Sequence, residues 1–232
     1  MSNIAANIAR IREQIVRSCQ HAGRDPERVR LIAVSKVKPA GQIEEAFHAG
    51  QQLFGESYVQ EFRDKVDQVK APVTWHFIGG LQTNKVKYLR GRVAMIHSVD
   101  RLPLAAEIDR QWGRINEVAT ILLQVNLGDE TSKSGCTVEE LDPLVRRVAT
   151  LPHLKVRGLM CLPPQCDDPE QVRPFFRQLR ELAQRVDALQ LPGVEMRELS
   201  MGMSDDFEVA VEEGATLVRI GTAIFGARER KP

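Results

Sequence analysis

The sequence predicts an α/β protein: a single (β/α)8 barrel over residues 1–232 with one extra helix at its N-terminus, and three observations carry that expectation. Short apolar runs alternate with amphipathic stretches along the chain, and eight such couplets can be counted. Most of the runs are continuously apolar, as strands covered on both faces by crossover helices should be. Eight couplets in one domain of 232 residues also suit a closed barrel. An open doubly wound sheet would offer a glycine-rich turn at its first crossover, where this chain reads SKVKPAG.

The elements follow in order. Ile4, Ile8, Ile11 and Ile15 recur at helical spacing, with Ser2 or Asn3 to cap the start and Gly23 just past the end. LIAVSK (31–36) is the first strand, and GQIEEAFHAG behind it is a helix closing on Gly50. LFGES (53–57) leads into YVQEFRDKVDQV, WHFIG (75–79) into QTNKVKYLR, and MIHSVD (95–100) into LPLAAEIDRQW. TILLQVNL (120–127) is followed, past a polar loop, by VEELDPLVRRVAT. VRGLMC (156–161) precedes an amphipathic stretch bearing Phe175, Phe176, Leu179, Leu182, Val186 and Leu189. ELSMG (198–202) leads into DDFEVAVEEG, and LVRIG (217–221) into TAIFGAR.

Composition excludes several function classes. Lys plus Arg total 32 against 31 Asp plus Glu, so nothing drives the chain as a whole toward nucleic acid or an anionic membrane. No apolar run approaches the roughly 20 residues that span a bilayer, and the N-terminal segment, with Arg10, Arg12 and Glu13, is not a signal peptide. Cys19, Cys136, Cys161 and Cys166 show neither redox nor zinc spacing. The expectation is a soluble, reduced, cytoplasmic protein, and a monomer, because the amphipathic helices are used up in covering the barrel.

A barrel works at the loops beyond its strands' C-terminal ends. Polar residues at those ends are Ser35 and Lys36, Glu56, Ser57 and Tyr58, then Gly79 with Gln82 and Asn84 beyond it. Asn126, Ser200, Arg219, Gly221 and Thr222 complete the set. Lys36 ends an apolar strand, so its stem is anchored while its amine faces the centre. Alone it reads first as a lysine reaching for solvent; with Lys38 and Arg219 as candidate flanking cations it reads also as a Schiff-base nucleophile.

Phosphate sites in barrels often lie between the loops after strands seven and eight. Here the seventh strand ends in SMGMSDD, where Ser200 supplies a hydroxyl beside Met201 and a flexible Gly202. Gly221 allows close backbone approach and Thr222 adds a hydroxyl at a helix start. Ser204, Asp205 and Asp206 are read instead as the cap and first turn of the next helix. A phosphate pocket opposite a lysine suits a phosphorylated carbonyl compound, either a sugar phosphate or pyridoxal phosphate. Arg219 is then either a neighbour of a pyridine nitrogen or one half of a structural ion pair. His76, His97 and His153 lack partners at metal spacing and read as structural groups or as polar groups behind the site.

The segments VSKxKP (34–39), FGExYVQE (54–61), WHFIGxLQxNK (75–85), QVNxxDExSKSG (124–135), RGLMC (157–161), LSMGMSDD (199–206) and VRIGTAIFGAR (218–228) resemble the pyridoxal phosphate homeostasis protein family. The resemblance covers nearly the whole chain and implies a barrel of the alanine racemase N-terminal type. It implies that Lys36 carries pyridoxal 5′-phosphate (PLP) as a Schiff base. It further implies that Ser200, Gly221 and Thr222 hold the phosphate, with Met201 and Gly202 beside them, and that Arg219 faces the ring. Lys133 matches a basic residue at the barrel mouth, and Asn126, Asn84 and His76 match positions near the site. Ser57 stands where the family usually has Asn.

The resemblance implies a carrier in intracellular PLP homeostasis that buffers the cofactor and delivers it to PLP-dependent apo-enzymes. Racemases that share the barrel take a second base, a tyrosine, from a separate C-terminal β-domain. This sequence ends soon after the eighth strand, with Tyr58 and Tyr88 its only tyrosines. A PLP-dependent racemase or lyase and a Schiff-base aldolase stand as the alternatives.

Overall fold

The computed structural model describes residues 3–128, 134–164 and 166–227. Eight parallel strands close into a barrel in sequence order: β1 (Arg30–Val34), β2 (Leu53–Glu56), β3 (Thr74–Phe77), β4 (Met95–Val99), β5 (Ala119–Val125), β6 (Leu154–Cys161), β7 (Val194–Ser200) and β8 (Leu217–Ile220). Closure is made by β1 against β8, with Ile32 opposite Arg219.

The helices are α1 (Ile4–His21), α2 (Ala40–His48), α3 (Val59–Val66), α4 (Leu102–Gly113), α5 (Val138–Val148), α6 (Arg173–Asp187), α7 (Phe207–Glu212) and α8 (Thr222–Phe225). Helices α2 to α8 follow strands in turn, except that a 3-10 helix, Thr83–Tyr88, takes the crossover after β3. The sequence predicts a helical or short capping segment there, and of it only Val86 and Leu89 reach the core, which is one turn's worth of anchorage.

The strand pleat sorts side chains into two cores. Outward residues such as Leu31, Ala33, Ile96, Val218 and Ile220 join the helices in the larger one. Inward residues Ile32, Met95, Leu122, Met160 and Leu217 form a separate plug inside the barrel. Polar groups stacked above that plug make the site.

The extra helix behaves as its spacing predicts. Asn3 caps it, accepting from the Ala6 N–H, and Ile4, Ile8, Ile11 and Ile15 are all buried. It packs across α2, α7 and α8, and Asn7 donates to the Ile224 carbonyl at 2.9 Å. Strand ends differ by a residue or two from the sequence expectation, except that β7 starts four residues earlier, at Val194. Its first half, Val-Glu-Met-Arg, is only partly buried and so carries no continuous apolar signal.

Candidate functional site

A cleft of about 520 Å³ opens at the C-terminal ends of the strands. Lys36, Ser57, Arg219, Gly221 and Thr222 line it, together with Tyr58, Gln124, Met203 and Ser204. A volume of this size lies within the usual range for small-ligand and cofactor sites, roughly 300–1,000 Å³.

Lys36 lies past the end of β1, yet the pleat carries on beyond the strand. Ile32 and Val34 face inward, the Ser35 N–H still donates to the Gly55 carbonyl, and Lys36 returns to the cleft side. The next residue, Val37, has φ +62°, a left-handed conformation that a β-branched residue adopts only when held there. Its N–H donates to Glu61 Oε2 at 2.7 Å. Lys65 Nζ, nearly buried, binds the same carboxylate at 3.1 Å, the Ser35 carbonyl at 2.6 Å and Glu56 Oε1 at 2.7 Å. Ser35 Oγ donates to Glu56 Oε1 as well. A charged cluster under the loop therefore fixes the backbone that carries Lys36. Lys38 serves the same loop, donating to the Phe225 and Gly226 carbonyls at the end of α8.

Arg219 sits two residues after Leu217 on the inward face of β8 and reaches the floor of the cleft. It is 4% exposed. Its guanidinium donates to Ser200 Oγ at 2.6 Å and to the Cys161 carbonyl at 2.9 Å. Among the described residues no carboxylate pairs with it, so the ion-pair alternative open in the sequence is not what the fold builds. Burial pulls its pKa down from the ordinary value, with Asp206 acting the other way.

Gly221 and Thr222 open α8 at the end of β8, the strand paired with β1. A Cβ on Gly221 would sit 3.2 Å from the Val34 carbonyl oxygen, so the glycine lets the two strand ends pack closely at the cleft wall. Ser204 Oγ lies beside this turn and accepts from the Ala223 N–H at 3.4 Å.

Several predicted contacts are placed differently. Ser200 is fully buried beneath the floor, where it binds Arg219 and His97 instead of facing the cleft. Met201 is buried in the outer core. Gly202 is buried too, with φ +90°, and a Cβ there would come within 2.6 Å of Ala210 Cβ; it is glycine so that α7 can close on β7. Ser204, read from the sequence as a helix cap, faces the cleft instead; α7 starts at Phe207, and the Asp206 carboxylate turns back to accept from the Met203 N–H.

His76 is buried inside the barrel against His97, with Nδ1 and Nε2 2.8 Å apart. Asn126 follows β5 but leaves the cleft wall to Gln124, two residues earlier on the inward face; its own N–H binds the Cys136 carbonyl. Asn84 is exposed on the 3-10 helix, away from the cleft lining. Lys133 lies outside the described residues. Sequence reasoning missed Gln124 and the role of Ser204. The period-two phase of β5 would have found the first; the second depends on where a loop turns.

The chemistry of this donor set is an amine sharing one cleft with hydroxyl and backbone donors, over a buried cation held by a hydroxyl and a backbone carbonyl. Such a set suits a ligand with an aldehyde at one end, a phosphate at the other and an acceptor atom between, and PLP has those features. Fold and cleft together define a TIM-barrel phosphate-ligand site with a lysine at the end of the first strand.

The chain belongs to the alanine racemase N-terminal domain family, whose model matches residues 2–229. It is 47% identical over 229 residues to the pyridoxal phosphate homeostasis protein of Aquifex aeolicus, covering 98% of this chain and 99% of that one. The protein of the same name from Escherichia coli K12 is 43% identical, over 99% and 98% of the two chains. Among solved structures, PipY of Synechococcus elongatus with PLP bound superimposes with a TM-score of 0.86 at 37% identity, over 97% of this chain and all of that one. Diaminopimelate decarboxylase of M. jannaschii shares the fold, with a TM-score of 0.76 at 14% identity over 60% of its length.

Proposed function

We propose that this chain binds PLP at Lys36 and acts in PLP homeostasis, holding the cofactor and passing it on rather than turning over a substrate. The observation that carries the reading is the gathering of Lys36, Arg219, Gly221, Thr222 and Ser204 around one cleft. When bound, PLP supplies an aldehyde that condenses with the Lys36 amine to a Schiff base, releasing one water. Ser204, Thr222 and the backbone at Gly221 hold the phosphate. Arg219 presents a permanent cation, which gives no proton to a ring nitrogen and keeps the ring a weak electron sink. The Val37–Glu61–Lys65 contacts fix the backbone from which Lys36 reaches its ligand.

The names of the close relatives favour homeostasis over an enzyme activity. The reading extends to transfer of PLP to apo-forms of PLP-dependent enzymes, by a chain that works as a monomer inside the cell. No helix among the described residues is long and apolar enough to cross a membrane.

One observation favours a second reading. Tyr58 lines the cleft and is 53% exposed, so its phenol is available as an acid or base for a racemase or lyase. Incubating the PLP-loaded protein with each proteinogenic amino acid separates the two. The carrier reading expects no sustained turnover and transfer of PLP to an added apo-enzyme. Turnover that Tyr58→Phe removes would establish the enzyme instead.

A further inference from the structure

We propose that Ser200, His97 and His76 form a one-way hydrogen-bond chain that positions Arg219 in the cleft floor as a cation whose hydrogen-bond partners are uncharged. The inference rests on the PLP reading only for its consequence, not for the chain itself.

The chain's direction follows from counting protons. Ser200 Oγ receives a hydrogen bond from Arg219 at 2.6 Å and lies 2.8 Å from His97 Nδ1. These are the hydroxyl's only partners among the described residues. Were His97 to donate through Nδ1, Ser200 would accept twice and its own proton would be left unpaired in the barrel interior, at a penalty comparable to a lost hydrogen bond. Ser200 therefore donates to His97 Nδ1. The His97 proton then sits on Nε2, 2.8 Å from His76 Nδ1, which must accept it. Both imidazoles are neutral, with the proton on Nε2, and every bond in the chain points away from Arg219.

Burial favours these neutral forms, holding His76 near a pKa of about 3 and His97 well below its ordinary range. The charged groups facing the pair act in the same direction. Arg219 bears on His97 and Arg30 on both, although Arg30 is itself paired with Glu198 at 2.5 Å.

A buried arginine is usually matched by a carboxylate. Here the acceptors are a hydroxyl and a backbone carbonyl, which orient the guanidinium without cancelling its charge. Donation to His97 also makes Ser200 a better acceptor. Arg219 thus stays fixed, positive and available to a ligand. Ser200, His97 and His76 act through it and are positioning residues.

The test has two arms. Long-range 1H–15N correlation on ligand-free protein labelled at histidine nitrogen reads the tautomers directly. Both His76 and His97 are expected to show a proton-free Nδ1 and a protonated Nε2; a protonated Nδ1 on His97 would overturn the proposal, whether or not PLP binds. In the second arm, PLP affinity and the pH dependence of the visible band are measured for Ser200→Ala, His97→Leu and His97→Asn. The first two are expected to weaken PLP binding on the order of tenfold and to move the titration of the band. His97→Asn, which keeps an acceptor near Nδ1, recovers most of both. Wild-type affinity and titration in Ser200→Ala, with only the melting temperature lowered, would reduce the chain to a structural feature. Absence of any PLP chromophore in the wild type would sink the PLP reading and leave the tautomer result standing.

Discussion

Replacing Lys65 with methionine tests the charged cluster under the Lys36 loop. Methionine keeps most of the stem's volume, so packing changes little. The loss is the ammonium, which satisfies Glu56 Oε1, Glu61 Oε2 and the Ser35 carbonyl. Glu56 is fully buried and its Oε2 has no partner among the described residues, so the variant leaves a buried carboxylate with the Ser35 hydroxyl as its only hydrogen-bond donor among them. Breaking a buried pair this way costs about 3–5 kcal/mol. In a chain of this size that is a melting temperature lowered by about 6–20 °C.

The deficit should depend on pH. Burial already holds the Glu56 carboxyl above its ordinary range, with Lys65 pulling it back down. A carboxyl whose folded pKa is raised binds its proton more readily in the folded state. Its contribution is present at low pH and is lost as pH rises through the folded value. Lys65→Met is therefore expected to be closer to wild type at pH 5 than at pH 8. Glu56→Gln combined with Lys65→Met should recover most of the loss, since a neutral amide no longer needs the cation. Urea unfolding at the two pH values measures the wild type and both variants. A single variant within about 1 kcal/mol of wild type, or a double variant as unstable as the single, would show that Lys65 does not compensate the buried Glu56 charge.

Gly202→Ala is expected to lose more than about 1 kcal/mol in urea titration, because φ is +90° and the new Cβ meets Ala210; unchanged stability would show that α7 can retreat. Ile8→Ala empties a buried position on α1 and should cost about 2–5 kcal/mol by the same assay. Thr222→Ala is expected to weaken PLP binding roughly tenfold while leaving pyridoxal, which lacks the phosphate, unaffected. Equal losses for both ligands would place the phosphate elsewhere.

Most of the fold was legible because burial on both faces leaves a strand no choice but to be apolar. The eight runs and the isoleucine stripe of α1 are direct traces of that requirement. The 3-10 crossover and the first half of β7 were not legible, because each has too few buried positions to leave a pattern. At the site, Lys36, Arg219, Gly221 and Thr222 could be placed, since each lies on or just past a strand whose phase is set by the core. Ser200 and Ser204 sit elsewhere than their places in SMGMSDD suggest. Ser200 is on the strand and under the floor, and Ser204 reaches the cleft only because the loop turns at Gly202. The His76–His97 pair joins two separate strands, and nothing in either run names its partner.

Whether Lys36 carries the cofactor is read by borohydride reduction of the PLP-loaded protein followed by peptide mapping. The visible band is expected to disappear and a single pyridoxyl adduct to map to Lys36, with Lys36→Ala giving neither band nor adduct. An adduct on another lysine, or a PLP-loaded protein that borohydride leaves unlabelled at Lys36, would contradict it.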